Sequence, residues 1–146
     1  MRPRNRSACG PDYRVPYRAK RRCLVPACGF YEWAQRPDGK YPYYFLSPEN
    51  ALLAFAGLWE PWTQPDGTPL ISYTIITVEP NDFVRRFHDR MPLVLDEKDY
   101  GDWLTGDDPK SLLKACHNEA LTNYPVSQRV SSVKHDEPSL AEPIAP

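Results

Sequence analysis

The chain has 146 residues and a mass of 16.8 kDa, a size that fits one domain and leaves little room for two. Apolar residues make up 41% and charged residues 25% of the sequence, which is typical of globular proteins and excludes a disordered chain. No apolar run approaches the roughly 18 residues that a transmembrane helix requires, so no membrane partner is expected. Residues 1–7 are basic but no apolar segment follows them, so no secretory signal is expected either.

The net charge of −1 conceals an uneven distribution along the chain. Eight of the 18 basic side chains but only one of the 19 acidic side chains lie in residues 1–22, so the charge is +7 there and −8 in the remainder. Residues 1–21 are therefore predicted to form a basic arm on an acidic body, which fits a phosphate-bearing partner. The alternative is a solvated terminus without a partner.

The four cysteines are Cys9, Cys23, Cys28 and Cys116. They form no Cys-x-x-Cys pair, and together with His117 they match no common zinc spacing. We therefore expect reduced cysteines in a cytoplasmic protein, with no metal and no other cofactor.

Up to about residue 95, the sequence predicts mostly short strands. They are expected at 22–25, 28–33, 41–46, 51–59 and 70–78, with Asp-Gly turns at 38–39 and 66–67 that favour hairpins. Five residues recur at an offset of 28: Gly29, Glu32, Pro37, Asp38 and Gly39 correspond to Gly57, Glu60, Pro65, Asp66 and Gly67. The recurrence predicts two hairpins of similar shape in one sheet.

Helical segments are expected later in the chain. One or two turns are predicted within 80–87, a strand at 91–95, a short helix through Leu104 with Asp96 as its N-cap, and a longer helix at 110–121 that begins after Asp108-Pro109. Short strands at 124–126 and 130–133 and an irregular tail at 134–146 complete the chain. The predicted fold class is α+β: a compact single domain over 1–146 with a largely antiparallel mixed sheet and C-terminal helices.

Glu32 is the first candidate for chemistry, because aromatic residues flank it in Phe30-Tyr31-Glu32-Trp33. A carboxylate in such surroundings loses hydration, which raises its pKa toward a range useful for proton transfer. The alternative is an outward-facing strand residue, since alternation places Glu32 on the face opposite Tyr31 and Trp33.

His88 lies beside Asp89 and Arg90, so it could act as an acid or base that a carboxylate orients. The alternative is an ordinary surface histidine. Arg90 could bind a phosphate with two hydrogen bonds, although an ion pair with Asp89 or Glu97 would explain it equally well. Thr77 ends a predicted strand, where its hydroxyl could face a groove.

The segment 22–33, Arg-Cys-Leu-Val-Pro-Ala-Cys-Gly-Phe-Tyr-Glu-Trp, resembles the signature of the SRAP family of SOS response-associated peptidases, which are also described as abasic-site processing proteins. The resemblance continues in the order of the family through segments 56–60, 74–77, 88–92, 103–104 and 125–127. It covers about residues 17–144.

The resemblance implies a compact α+β domain with a positively charged cleft for single-stranded DNA that contains abasic sites. In the family, a cysteine directly after the initiator methionine bonds covalently to the abasic sugar and closes a thiazolidine. By similarity, Glu32 and His88 are the acid/base residues, and Thr77, Arg90 and, in a shortened motif, Asn5 line the DNA cleft. A DNA-damage role of this kind implies a cytoplasmic, nucleoid-associated protein.

The chain also departs from the family pattern. It begins Met1-Arg2-Pro3 rather than Met-Cys-Gly-Arg, and Cys9 lies too close to Cys23 to replace the missing nucleophile. The sequence therefore predicts a domain that is truncated at its N-terminus relative to the family, and it leaves open whether this chain is an enzyme. The alternatives to abasic-site processing are an inactive DNA-binding remnant and a peptidase limited to its own processing.

Overall fold

A computed structural model describes residues 14–144. Within this range the fold is α+β, as predicted, and all strand pairings are antiparallel. The strands are β1 (Arg22–Ala27), β2 (Phe30–Arg36), β3 (Gly39–Leu46), β4 (Leu53–Thr63), β5 (Pro69–Ile75), β6 (Thr77–Val78), β7 (Met91–Pro92), β8 (Val94–Leu95) and β9 (Thr122–Pro125). The α-helices are α1 (Arg14–Arg18) and α2 (Tyr100–Thr105), and short 3-10 helices lie at Val84–Arg86, Glu97–Asp99, Pro109–Leu112, Asn118–Ala120, Gln128–Ser131 and Pro138–Ala141. None of the helices in this range is long and apolar enough to cross a membrane.

Both predicted hairpins form, but the prediction that they share one sheet is wrong. One sheet has the order β1-β4-β5, with β8 also paired to β4, and another has the order β2-β3-β9. The chain passes between these sheets after Ala27, where Gly29 lies so close to β3 that an added Cβ would be 2.2 Å from the carbonyl oxygen of Phe45. Glycine permits this close approach of two backbones, and the crossing separates the hairpins.

Two predicted strands are each divided by a buried or half-buried apolar residue. The 70–78 segment forms β5 and β6 on either side of Ile76, and the 91–95 segment forms β7 and β8 on either side of Leu93. The amide of Leu93 donates to the carbonyl of Ile76, while its own carbonyl accepts from the amide of Ala56. These hydrogen bonds tie the small β6–β7 sheet to β4, and they hold the segment after Arg90 against the main core.

The main core lies between the β1-β4-β5 sheet, the β2–β3 hairpin and the helical segments. Phe45, Val84, Leu93 and Trp103 are fully buried in it. The indole nitrogen of Trp103 donates to the carbonyl of Cys23 at 3.0 Å, which satisfies the one polar atom of that side chain. This core therefore fixes α2 and the 84–87 turn relative to both sheets.

The predicted helix at 110–121 is wrong. The Asp108-Pro109 start does begin a helical turn, but it is a 3-10 turn that ends at Leu112. Beyond it, the side-chain amide of Asn81 donates to the carbonyls of Cys116 at 3.1 Å and His117 at 3.5 Å. These tertiary hydrogen bonds take carbonyl groups that a continuous helix would have used.

Two smaller predictions also fail. The segment at 130–133 is not a strand, because Gln128–Ser131 forms a 3-10 helix whose first turn is capped by the Ser127 hydroxyl. Asp96 precedes a 3-10 turn and the short helix α2 as expected, but its side chain makes no capping hydrogen bond. Its carboxylate lies 3.2 Å from the Lys98 ammonium instead. In the predicted tail, Pro138–Ala141 is helical and Pro143 forms a bridge with Val126.

Candidate functional site

Glu32 lies on one face of the β2–β3 hairpin, where its side chain is half-buried. It is paired directly with Tyr43, so the two side chains share a face. Tyr31 lies on the opposite face, where its ring is 5.0 Å from that of Tyr44, and Trp33 donates from its indole nitrogen to the Ser131 hydroxyl at 3.0 Å. The alternation predicted from the sequence thus places the half-buried Glu32 on the face opposite Tyr31 and Trp33, which it shares with Tyr43 and the core residue Phe45.

The environment of Glu32 favours its protonated form. Burial raises the pKa of this carboxyl above its ordinary value of 4.5, and the charge of Asp89 raises it further, while the charge of His88 lowers it. The acid therefore interacts electrostatically with two groups of the 87–90 loop, although that loop follows β2 by more than 50 residues. A carboxyl whose pKa is raised by burial and that interacts electrostatically with a histidine is suited to proton transfer.

Phe87 positions the His88 loop beside Glu32. Its ring lies 4.9 Å from the ring of Tyr43, the residue paired with Glu32, and 5.0 Å from the ring of the fully buried Phe45. The 3-10 turn Val84–Arg86 delivers Phe87 to this face, and Val84 anchors the turn in the core. His88, the next residue, therefore leaves the core at the same end of the hairpin as Glu32.

The imidazole of His88 has hydrogen-bond partners for either state of Nδ1. The Arg90 amide can donate to Nδ1 at 3.1 Å, and the Arg90 carbonyl and an Asp89 carboxylate oxygen lie 3.1 Å and 3.2 Å from it. When Nδ1 carries a proton, it can donate a hydrogen bond to either oxygen. Nε2 of the neutral ring then keeps a lone pair that can take up a proton. About half of the side chain is exposed.

Arg90 and Thr77 are in direct contact. The guanidinium of Arg90 donates to the carbonyl of Thr77 and lies 3.2–3.3 Å from its hydroxyl. Among residues 14–144, Arg90 forms no ion pair with Asp89 or Glu97, so that explanation of the residue is wrong. The backbone contact holds the guanidinium at the surface, where no carboxylate among residues 14–144 forms an ion pair with it.

Arg90 and Thr77 lie where two cavities meet, and we call the two cavities together the basic groove. The larger cavity has a volume of about 1000 Å³ and runs from Thr77 and Arg90 to α1. Its floor is apolar, with Leu58 and Ile75, and its charged lining residues are Arg14, Arg18, Arg90, Asp107, Asp108 and Lys110. Asp107 binds the Lys20 ammonium and Asp108 binds that of Lys110, both at 2.7 Å.

The smaller cavity of the basic groove has a volume of about 520 Å³. It shares Thr77, Arg90 and Leu113 with the larger one and continues past Arg85 and Lys114. The cations in the two cavities outnumber the carboxylates, so the groove favours an anionic ligand over a neutral one.

The sequence motifs did not identify every lining residue of the groove. Arg85, Lys110 and Lys114 stand in ordinary polar contexts, and only the Asp108-Pro109 turn hinted that the 110–114 segment had a fixed position. Asn5, which the family resemblance placed in the cleft, lies outside the described residues.

The family model for the SOS response associated peptidase (SRAP) family matches residues 7–133. The chain belongs to the SRAP family.

Relatives in bacteria and vertebrates support this assignment. The chain is 40% identical over 138 residues to the abasic site processing protein YoqW of Bacillus subtilis strain 168. The aligned region covers 90% of this chain and 61% of YoqW. It is 37% identical over 159 residues to the abasic site processing protein HMCES of Gallus gallus. That aligned region covers 91% of this chain and 46% of HMCES. The chain thus spans about three fifths of the bacterial relative and about half of the vertebrate one.

A crystal structure of a protein from Bacteroides thetaiotaomicron has the same fold. It superposes with a TM-score of 0.83 at 26% sequence identity, over 94% of this chain and 62% of that protein. The antiparallel sheets and few helices described above are therefore the arrangement found in a solved structure.

Proposed function

We propose that this chain binds single-stranded DNA in the basic groove and processes abasic sites with Glu32 and His88. The observation that carries the proposal is the position of the acid/base pair beside the Arg90–Thr77 contact. The electrostatic influence of His88 and Asp89 on Glu32 supports one shared site, and Arg90 and Thr77 at the junction of the groove support a phosphate contact next to it. Such a protein would act in the cytoplasm, at the nucleoid.

The chemistry that suits these two side chains is the opening of the abasic sugar ring. Glu32 in its protonated form, which burial favours by raising the pKa of this carboxyl, donates a proton to the ring oxygen. His88 accepts the proton of the C1′ hydroxyl at Nε2 while Nδ1 donates to the Arg90 carbonyl. The bond between C1′ and the ring oxygen breaks as the C1′ carbonyl forms, so the products are an aldehyde and a 4′-hydroxyl. The aldehyde is the form that an amine nucleophile attacks.

The test measures aldehyde release with an external nucleophile, so it does not depend on any nucleophile of the chain. Single-stranded DNA with one abasic site is saturated with protein, and an aminooxy dye reports the aldehyde as an oxime. Positioned acids and bases contribute about 10²–10⁴-fold in rate, so Glu32→Gln and His88→Gln should each lose most of the acceleration. Glu60→Gln is the matched control, because Glu60 is the corresponding residue of the other hairpin and binds Arg21 at 2.5 Å.

An oxime rate that equals the rate in free DNA, in a protein that binds the DNA, would contradict the enzymatic proposal. It would favour the second candidate, a DNA-binding remnant without chemistry. A peptidase acting through His88 has less support, because the partners of its imidazole within residues 14–144 come from Asp89 and Arg90 and include no thiol or hydroxyl. Burial also raises the pKa of Cys116 to about 11, which makes that thiol a poor nucleophile.

A further inference from the structure

The smaller cavity of the basic groove has three cationic side chains and one carboxylate in its lining. The cations are Arg85, Arg90 and Lys114, and the carboxylate is the exposed Glu79. A volume of about 520 Å³ is within the range of small-molecule sites. The lining therefore combines an excess of positive charge with room for a phosphate group and its sugar.

The charges of this cavity are largely uncompensated by the protein. Among residues 14–144, the Lys114 ammonium has no carboxylate partner within ion-pair distance. The nearest carboxylate oxygen to Arg85 is that of Asp82, at 3.9 Å, and both side chains are more than half exposed, so the pair is weak. Arg90 contacts Thr77 rather than a carboxylate.

Two of the three cations are nevertheless held in place. The Arg85 guanidinium donates to the carbonyl of Pro80 at 2.9 Å, and its backbone belongs to the 3-10 turn anchored by the buried Val84. Arg90 is fixed by Thr77, as described above. An arginine that is positioned by a backbone carbonyl and has at most a weak ion pair keeps donor groups for an anion and loses little side-chain freedom on binding it.

The apolar part of the lining suits a nucleotide better than a free ion. Val78, Pro80, Leu113 and Ala115 lie alongside the cations. Leu113 also lines the larger cavity, so one strand of nucleic acid can follow the same wall past Arg90. A continuous strand that starts near α1 in the larger cavity would pass Arg90 and then reach the smaller cavity.

We propose that Arg85 and Lys114, together with Arg90, form a subsite for a backbone phosphodiester of the bound DNA strand, displaced along the strand from the abasic site. The inference rests on the proposed function, because it assumes that single-stranded DNA is the ligand of the groove. Contacts of this kind position the strand and do not read its sequence. The subsite thus strengthens binding equally for all sequences and supplies no group to the reaction at the abasic sugar.

The test is the salt dependence of DNA binding, measured by fluorescence anisotropy with abasic single-stranded oligonucleotides between about 50 and 200 mM salt. Each phosphate contact to single strands contributes about 0.7 to the slope of log Kobs against log salt. Because both residues contact the same phosphodiester, we expect Arg85→Gln and Lys114→Gln each to reduce the slope by part of that amount, and the double variant by up to about 0.7. Lys134→Gln, which removes an exposed cation outside both cavities, should leave the slope unchanged.

The rate of oxime formation provides the second readout. Arg85→Gln and Lys114→Gln should raise the protein concentration at which the oxime rate is half-maximal, because they weaken DNA binding, whereas Lys134→Gln should leave that concentration unchanged. Slopes for the Arg85 and Lys114 variants that equal the slope for Lys134→Gln, in a chain that binds DNA, would overturn the subsite and leave the proposed function intact. Absence of salt-dependent binding by the unmodified chain would overturn both.

Discussion

The two hairpins have the same sequence pattern but very different surroundings. Both turn at a glycine with positive φ, Gly39 at +148° and Gly67 at +85°, which confirms the turns predicted from the Asp-Gly pairs. The second strand of the first hairpin, β3, lies between β2 and β9, whereas the second strand of the other, β5, is at the edge of its sheet. Phe45 in β3 is fully buried, while Ile71 and Tyr73 in β5 are 70% and 63% exposed.

The comparison separates what a local pattern determines from what the neighbouring strands determine. The turn residues and the alternation of side chains are local, and they recur in both hairpins. Burial depends on what packs against each strand of the hairpin. In the first hairpin, β3 is paired on both sides and Phe87 of the 84–87 turn packs on Tyr43 and Phe45, whereas in the other hairpin β1 and β8 flank β4 and leave β5 at the edge. The same contrast explains why Glu32 is half-buried and interacts electrostatically with His88, whereas Glu60, its counterpart in the repeat, forms an exposed ion pair with Arg21.

The largest expected effect comes from truncating matched aromatic residues in the two hairpins. Phe45 stacks on Phe30 at 5.1 Å and contacts Phe83 and Phe87 edge-on, so Phe45→Ala should lower the free energy of unfolding by about 3–5 kcal/mol. Tyr73→Ala removes a mostly exposed ring and should change it by about 0.5 kcal/mol or less. Urea denaturation of both variants checks this, and a similar loss in both would show that β5 is covered in solution.

A smaller contrast is expected for the two glycines that occupy equivalent positions of the repeat. A Cβ on Gly29 would meet the backbone oxygen of Phe45 at 2.2 Å, while a Cβ on Gly57 would meet the Cys23 sulfur at 2.7 Å and backbone only at 3.2 Å. Backbone cannot move aside as a side chain can, so Gly29→Ala should cost about 1–3 kcal/mol or more, and more than Gly57→Ala.

Cys23→Ala provides the control for this pair of variants. It removes the sulfur nearest to the new Cβ at position 57, so it should recover part of the loss in Gly57→Ala and none of the loss in Gly29→Ala. Equal recovery in the two backgrounds, measured in the same denaturation experiment, would contradict the assigned contacts.

Much of the fold was predictable because the relevant signals are local. The hairpin turns, β2 and β3, the turn within 80–87 and the helix that contains Trp103 all follow from alternation, Asp-Gly pairs and short helical patterns. The shared sheet and the helix at 110–121 were wrong because they depend on contacts between distant segments. The close approach of Gly29 to Phe45 and the hydrogen bonds from Asn81 to Cys116 and His117 leave no local pattern.

The same distinction applies to the candidate site. Alternation in β2 placed Glu32 away from Tyr31 and Trp33, and the family resemblance singled out His88, Thr77 and Arg90. The contribution of Arg85 and Lys114 to the groove was not predictable, since it depends on how the 80–87 turn and the irregular 113–117 segment meet across the β6–β7 sheet. Their assigned roles at the site stay predictions until the variants are measured.

The exposed edge of β5 predicts weak self-association of the 146-residue chain. An edge strand with exposed apolar side chains is a template for pairing with another strand, and in a two-fold antiparallel pairing centred on Ser72, Ile71 of one copy would lie opposite Tyr73 of the other. Light scattering over a concentration series should show dimers that Ile71→Lys suppresses. The control is Val133→Lys, which introduces the same charge at another exposed residue. A strict monomer at all concentrations would indicate that this edge is protected.

The smallest expected effect is a change in the pH dependence of stability at the two glutamates of the repeat. Burial holds the pKa of Glu32 above its ordinary value of 4.5, so the folded state retains this proton to a higher pH than the unfolded chain does. Between 4.5 and the raised pKa, the folded state binds more protons, and the contribution of Glu32 to the free energy of unfolding therefore falls as pH rises. Glu32→Gln removes this contribution, so the variant should gain stability relative to the unmodified chain across that window and keep a constant difference above it.

Glu60→Gln only removes an exposed ion pair with Arg21, worth about 0–1 kcal/mol, and should show no such gain. Urea unfolding of the three proteins from about pH 4 to about pH 8 measures the differences. Curves for Glu32→Gln and the unmodified chain that stay parallel throughout would mean that Glu32 is as well hydrated as Glu60, and the contrast between the two hairpins would not extend to their acids.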